Sequence, residues 1–333
     1  NRVWEMITSF SGYSFCKPHS ASYARVSFQA AYLKTHYPAP FMAAVISNQG
    51  GFYAAFAYVS EARRLGVKIL GPDVNQSNPS WTGMDNQLRV GLMAVRSLSR
   101  RTMERILACR GQAPFSSPLD FFNRVRPSAD EARSLIDCGS LDCLAPDLGR
   151  AGLVWHFTAW HGRVSADPGF SGTGRPGLFC REGEQPWPAG SVLPPVPDLP
   201  PDNPGRLLRR EFRALGFLCG THPMCLYRGA RATEGCIEAR DLGRHIGRRV
   251  DVAGWLITGK TVITRHGDPM KFITFEDETG LVETVFFPKP YARFCHLLDH
   301  GRPFRISGVP ESDWGAVTFT VEQIRRLGRA GDA

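Results

Sequence analysis

The spacing of hydrophobic and polar positions divides the chain into four textures. Residues 1 to about 70 are apolar, aromatic and rich in alanine, and they read as helices. One helix is predicted over Ser20–Lys34, which has no glycine or proline and stops before Pro38. A second follows Pro38 and Pro40 through Phe41–Ile46, and a third runs from Tyr53 to Leu65 and stops at Gly66. Val67–Leu70 is a short extended piece. From 76 to 148, Leu, Ile, Phe and Val recur at three- and four-residue spacing, most clearly in Arg100–Cys109, Pro118–Val125 and Ser128–Cys138. From 161 to 205 the period is lost among prolines, glycines and serines, which predicts an extended linker. Arg206–Leu215 is a short basic helix ending at Gly216. From 249 to 323 the period becomes two, in Val250–Ala253, Lys271–Phe275, Leu281–Val285, Pro303–Ile306 and Val317–Val321. His266-Gly267-Asp268-Pro269 and Glu278-Thr279-Gly280 supply turns. With a helical stretch at Tyr291–Leu298, the five strands predict a small OB-type barrel.

Composition narrows the possibilities. With 43% hydrophobic residues in 333, the chain can build ordinary cores and is not a disordered polymer. It has no run of 18 apolar residues, which excludes a membrane-spanning helix. Forty Lys and Arg against 31 Asp and Glu leave +9, a balance that permits an acidic partner such as nucleic acid. The nine cysteines form no C-x-x-C pair, so a zinc ribbon has no support, and scattered thiols fit a reducing cytoplasm. The start, Asn1-Arg2-Val3-Trp4-Glu5, has neither an initiator Met nor a secretory apolar region, and reads as a cut into a longer chain or a partial gene.

Catalytic signatures are missing. Two-metal nucleotidyl transfer needs converging carboxylates, and the chain has no D-x-D pair. Glu276-Asp277-Glu278 reads as a solvated turn. There is no phosphate-binding P-loop, H-E-x-x-H, G-x-S-x-G or G-x-G-x-x-G. No catalytic residue and no metal ligand is assigned.

The most informative stretch is Ser11–Ala24, where an aromatic, glycine-containing loop leads into a helix. Ser20 is the expected N-cap, with Lys17 and His19 just upstream. A helix N-terminus offers unpaired N–H groups and partial positive charge, so this arrangement suits a phosphate. Arg25 and Gln29, one turn apart, would extend the basic face. The competing reading is a capped core helix with a solvated lysine.

Phe15-Cys16-Lys17-Pro18-His19-Ser20-Ala21-Ser22-Tyr23-Ala24, then Ser27–Lys34 and His36–Ala44, closely resemble the fingers of bacterial C-family DNA polymerases, the DNA polymerase III alpha subunit and its error-prone paralogue. The family's usual form is F-N-K-S-H-A-x-x-Y-A, then Y-Q-x-A-Y-L-K-x-H-Y-P-x-E-F-M-A-A. Gly71-Pro72-Asp73-Val74-Asn75 matches its G-P-D-V-N. Residues 89–142 resemble its tandem helix-hairpin-helix region, with Ser97-Leu98-Ser99 where the family has G-V-G. Leu215-Gly216-Phe217 and Thr221-His222-Pro223-Met224 resemble a connector that reads as a structural joint, and residues 252–288 resemble its OB domain.

The resemblance implies a multidomain α+β chain, with all-α fingers and tandem helix-hairpin-helix motifs followed by a C-terminal OB-fold β-barrel. Fingers would occupy 1–75, hairpins 76–148, a linker 149–205, a helical connector 206–247 and the barrel 248–325. Lys17, His19, Ser20, Arg25 and Gln29 would face deoxynucleoside triphosphate. Arg96, Arg100, Arg101, Gly139, Lys260, Arg265 and Lys271 would hold primer–template DNA. Trp255, Phe286 and Phe287 are further OB candidates, each more readily core than base-stacking. Leu178 and Phe179 in the linker would dock on the sliding clamp, although Arg175 and Pro176 stand where glutamine is expected. Nucleotidyl transfer would belong to a palm domain binding Mg²⁺ outside this chain, in company with other replicase subunits, in a bacterial cytoplasm. The alternative is a free-standing, non-catalytic DNA-binding module.

Overall fold

Prolines and short polar side chains decide where the helices begin. The structure is a computed structural model that describes residues 3–5, 17–49, 53–166, 193–200, 202–227, 233–299 and 302–328. Helix α1 (Lys17–His36) carries Pro18 in its first turn, and α2 (Pro38–Asn48) opens on Pro38. Proline suits that place because the missing N–H has no helical partner there and φ is already set. Ser20 therefore lies inside the first turn of α1 and is not its N-cap. Helix α3 (Ala55–Arg64) completes the amino-terminal group.

The expectation of all-α fingers and hairpins needs one correction. Strands β1 (Lys68–Leu70), β2 (Thr82–Met84) and β3 (Gln87–Arg89) form a sheet in the order β1-β3-β2. Three-residue strands are too short to show a period of two. Gly83 lets this sheet approach α2, since a Cβ there would lie 2.2 Å from the Ala39 carbonyl oxygen. The Gly71–Asn75 motif is a latch: the Asn75 side chain accepts from Phe115 N–H and donates to Phe115 C=O, both at 2.9 Å. Val74 N–H donates to Ser140 C=O at 3.0 Å.

Four helices follow in quick succession. Ser99 caps α4 (Arg100–Gln112), and Ser117 caps α5 (Pro118–Val125) ahead of a proline. Ser128 and Glu131 form a reciprocal capping box on α6 (Ala129–Asp137). Helix α7 (Gly149–Ala166) occupies the start of the predicted linker, where no proline occurs before 168. Its Phe157 and Trp160 pack against Phe122, and the Trp160 indole donates to Asn123 Oδ1 at 2.9 Å. Helix α8 (Pro204–Leu215) is capped by Asn203 and ended by Gly216 at φ +84°. These elements enclose one apolar core, in which Leu88, Ile106, Phe121 and Leu135 are fully buried.

A second core fills a closed barrel. Strands β4 (Val250–Ile263), β5 (Pro269–Glu276), β6 (Leu281–Phe286), β7 (Pro303–Asp313) and β8 (Ala316–Arg326) close in the order β4-β5-β6-β8-β7. Helix α9 (Pro288–Phe294) lies between β6 and β7. Val252, Ile273, Phe275, Phe286, Ile306 and Phe319 fill the interior.

A third cluster joins the two bodies. Trp255 of β4 is buried there, with its ring 5.9 Å from Phe56 of α3, 5.4 Å from Phe212 of α8 and 6.2 Å from Tyr227. Glu276, at the end of β5, is wholly buried beside it. It accepts from His222 Nε2 at 2.9 Å and from Arg64 Nη1 at 3.2 Å. His222 Nδ1 accepts the Met224 N–H, so the imidazole proton sits on Nε2. Arg64 also pairs with Glu61, which Lys34 of α1 reaches at 2.6 Å. The acidic triplet at 276–278 is therefore not a solvated turn. Its first carboxylate is the buried seam between helices and barrel, and Asp277 is buried too, accepting from the Ala239, Thr279 and Gly280 N–H groups.

Candidate nucleic-acid interface

The first hairpin leads from Val95 into α4. Arg96 does not stand free. Its guanidinium donates to Arg213 C=O at 3.2 Å and its N–H to Ala214 C=O at 2.9 Å, so it caps the carboxyl end of α8. Ser97 stands where the resembled motif has glycine, yet it keeps the left-handed backbone, with φ +64°. Arg100 and Arg101 are exposed in the first turn of α4, which holds no acidic residue. Two cations there add to the positive end of the helix dipole instead of offsetting it, an arrangement that a polyanion relieves. Arg100 also pairs with Glu104 at 2.8 Å, a solvent-exposed contact of little strength.

The second hairpin is closed on itself. Gly139 has φ +80°, and its N–H donates to Ile136 C=O at 3.0 Å. A Cβ there would lie 2.3 Å from the Arg150 guanidinium, which itself holds Asp142 Oδ2 and Asp137 C=O. The glycine thus admits Arg150 against the turn. Glu131 ties the two hairpins together: one oxygen accepts from Ser99 N–H at 3.0 Å, the other from Ser128 N–H at 2.9 Å. Burial acts to raise the Glu131 pKa, but the hydrogen bonds from Ser99, Ser128 and Thr102 outweigh it and hold the carboxyl below its ordinary value.

On the barrel, strand alternation sorts the candidates. Ile273 and Phe275 point inward, so Phe272 points outward; it is 44% exposed. Lys260 is its direct cross-strand partner on β4 and Val285 its partner on β6. Lys271 has the opposite phase, paired with Thr261 and with buried Phe286, and its stem crosses Gly259. Lys260 and Lys271 therefore do not share a face. Arg265 is exposed in the β4–β5 turn. Trp255 and Phe286 are buried and offer no ring to a base, whereas Phe287 is 47% exposed.

Two aromatic residues escape sequence reasoning. Phe272 becomes visible only once the strand phase is known. Trp314 lies at the tip of the β7–β8 turn, fully exposed, with φ +50°. The available signal was an indole inside Asp313-Trp314-Gly315, where small polar turn residues usually stand. OB barrels take oligonucleotides on the face of their second and third strands and on the loops between strands one and two and strands four and five. Phe272, Arg265 and Trp314 occupy those three places.

Along α1, residues 18–29 are exposed, including Tyr23, Val26 and Phe28. Arg25 and Gln29 share one face. At ~100° per residue, His19 lies about a third of a turn away from Arg25. Lys17 opens the helix. Leu178 and Phe179 lie outside the described residues.

At three cysteines burial disfavours the reactive thiolate. Burial pushes the Cys138 thiol up to about 11 and Cys143 to about 12, and it raises Cys219 as well. Among the described residues no group of three His, Cys, Asp or Glu side chains could hold a metal ion. Among the same residues, no helix is long and apolar enough to cross a membrane.

Helical hairpins followed by an OB barrel with an aromatic and basic outer face define a nucleic-acid-binding class of protein. The comparisons agree: residues 66–151 match the helix-hairpin-helix motif family, and residues 250–327 match the OB-fold nucleic acid binding domain family. The chain is 33% identical to an error-prone DNA polymerase of Anaeromyxobacter dehalogenans, over 98% of this chain and 28% of that one. It is 31% identical to a DNA polymerase III subunit alpha of Saccharopolyspora erythraea, over 96% and 28%. It is 32% identical to that of Thermus aquaticus, over 87% and 24%. By sequence the chain is a homologue of bacterial DNA polymerase III alpha subunits and error-prone DNA polymerases. It spans about a quarter of their length and fits a C-terminal portion of them.

Proposed function

We propose that the chain is a DNA-holding part of a DNA polymerase III alpha-type or error-prone polymerase. The observation that carries this reading is the outer face of the barrel, where Phe272 stands opposite Lys260, with Arg265 and Trp314 on the flanking turns. Bases stacked on the aromatics and phosphates along the cations would hold single-stranded template. Arg100 and Arg101 at the start of α4 would add a duplex phosphate contact. The exposed face of α1, with Arg25 and Gln29, would meet primer–template and incoming nucleotide triphosphate, with Lys17 and His19 at its start. Its exposed Tyr23, Val26 and Phe28 suit burial against a partner surface.

Nucleotidyl transfer itself is assigned to carboxylates and Mg²⁺ ions outside this chain, in a palm domain. The described residues do not fit a metal site, so no step passes through one here. The linker carrying Leu178 and Phe179 would tether the polymerase to its sliding clamp, beside other replicase subunits in the bacterial cytoplasm.

Fluorescence anisotropy of the 333-residue chain with labelled single-stranded and duplex DNA, repeated over a range of salt, tests the reading. Affinity should fall with salt by ~0.7 log units per phosphate contact on single strands and ~0.9 on duplex. Binding with no salt dependence, or none at all, would overturn it. Detectable binding by this chain without any polymerase partner is also what the free-standing module requires. Clamp-stimulated DNA synthesis by a longer chain that includes it separates the two.

A further inference from the structure

The barrel carries a second charged surface, away from the β5–β6 face. A groove of about 710 Å³ opens over the start of β4, the first half of β7 and the end of β8, with α9 on one rim. Four arginines line it: Arg249, Arg293, Arg305 and Arg325. The one carboxylate in the lining is Asp251. Arg305 and Arg325 are direct cross-strand partners, and like charges so placed repel. Asp251 answers only the first of them, accepting from Arg305 Nε at 2.8 Å. Arg249 pairs outside the lining with Glu322 at 3.0 Å. Among the described residues Arg293 and Arg325 have no carboxylate partner, and the Arg293 guanidinium lies 5.1 Å from the centre of the Phe294 ring.

We propose that this groove is a second nucleic-acid site, taking the phosphodiester backbone of a single strand. The proposal rests on the nucleic-acid reading of the barrel. Three observations favour phosphate. The cations are all arginines, whose planar forks match phosphate oxygens two at a time. Phe294 and Arg293 make a half-exposed stacked pair against which a base can lie. The β7–β8 hairpin that bears Arg305 and Arg325 also bears Trp314 at its tip, ~30 Å along the strand. A strand longer than the barrel face can engage both ends of one hairpin.

The test is salt-dependent binding of a thirty-nucleotide oligothymidylate to the whole chain. The double variant Arg293→Ala/Arg325→Ala removes two cations that no described carboxylate depends on. It should lower the salt slope by ~1.4, two contacts at ~0.7 each, which is about 25-fold in affinity at 0.1 M salt. Arg293→Lys/Arg325→Lys keeps both charges and should restore most of the slope. An unchanged slope in the alanine variant, with Phe272→Ala still weakening binding, overturns the groove and leaves the barrel face standing. No effect from either variant, or no binding by the parent chain, overturns both. Loss of poly-glutamate binding with oligothymidylate binding intact would assign the groove to an acidic protein segment and overturn the proposal.

Discussion

His222 donates its Nε2 proton to Glu276 at 2.9 Å, at the seam where the helices meet the barrel. The other Glu276 oxygen belongs to Arg64. The acceptor is fully buried and its partners come from a connector and from α3, so one carboxylate fixes three segments at once.

Removing that carboxylate should uncouple the two bodies. Glu276→Ala leaves Arg64 and His222 without their buried partner, at a cost of about 3–5 kcal/mol. Calorimetry should show the barrel and the helical core melting in separate transitions. A single transition at the parent temperature would contradict this.

Glu131 should set an acid limit for the hairpin region. Its folded pKa lies below the ordinary value of 4.5. A depressed carboxyl contributes stability that is present above its unfolded pKa and lost as pH falls through the folded one. Urea midpoints measured from pH 6 down to pH 3 should therefore fall less steeply for Glu131→Gln than for the parent chain. At neutral pH the variant should cost about 1–3 kcal/mol, for the lost charge-assisted bonds to Ser99 and Ser128. Equal acid slopes would remove Glu131 from the account.

Ser97 is held in the left-handed region, which costs an L-residue about 1–2 kcal/mol. Ser97→Gly relieves that strain, at an entropic cost of about 0.5–1 kcal/mol. A small rise in Tm is expected, and Ser97→Val should lower it. A lower Tm for the glycine variant would show that the serine side chain outweighs the backbone term.

Phe272→Ala and Trp314→Ala should each weaken single-stranded DNA binding by about 1–3 kcal/mol, one stacked base apiece. Both rings are exposed, so the melting temperature should stay near the parent value. Titration by anisotropy checks this, and unchanged affinity in both variants would place the strand elsewhere.

Leu178→Ala with Phe179→Ala, in a chain extended to a working polymerase, should reduce clamp-dependent processivity and spare clamp-independent extension. Equal loss in the two assays would rule out a tether.

Much of the architecture could be read from spacing and caps. Pro118–Val125 falls on α5 without a shift, and the five alternating runs fall inside the five barrel strands. Strand lengths could not be read, because β4 and β7 run beyond the barrel core into turns where alternation carries no apolar signal. The small sheet was hidden by strands of three residues. The hairpin arginines were visible as charge, but not the carbonyls that occupy Arg96. Glu276 looked solvated because a carboxylate beside a turn usually is. Its partners, Arg64 and His222, lie 212 and 54 residues away, and only tertiary structure brings them together.

The ion-pair relay from Lys34 through Glu61 and Arg64 to Glu276 reaches from the base of α1 to the last residue of β5. The barrel is therefore not a bead swinging on a string. A strand held on the proposed barrel face would therefore lie at a set distance from the long exposed helix.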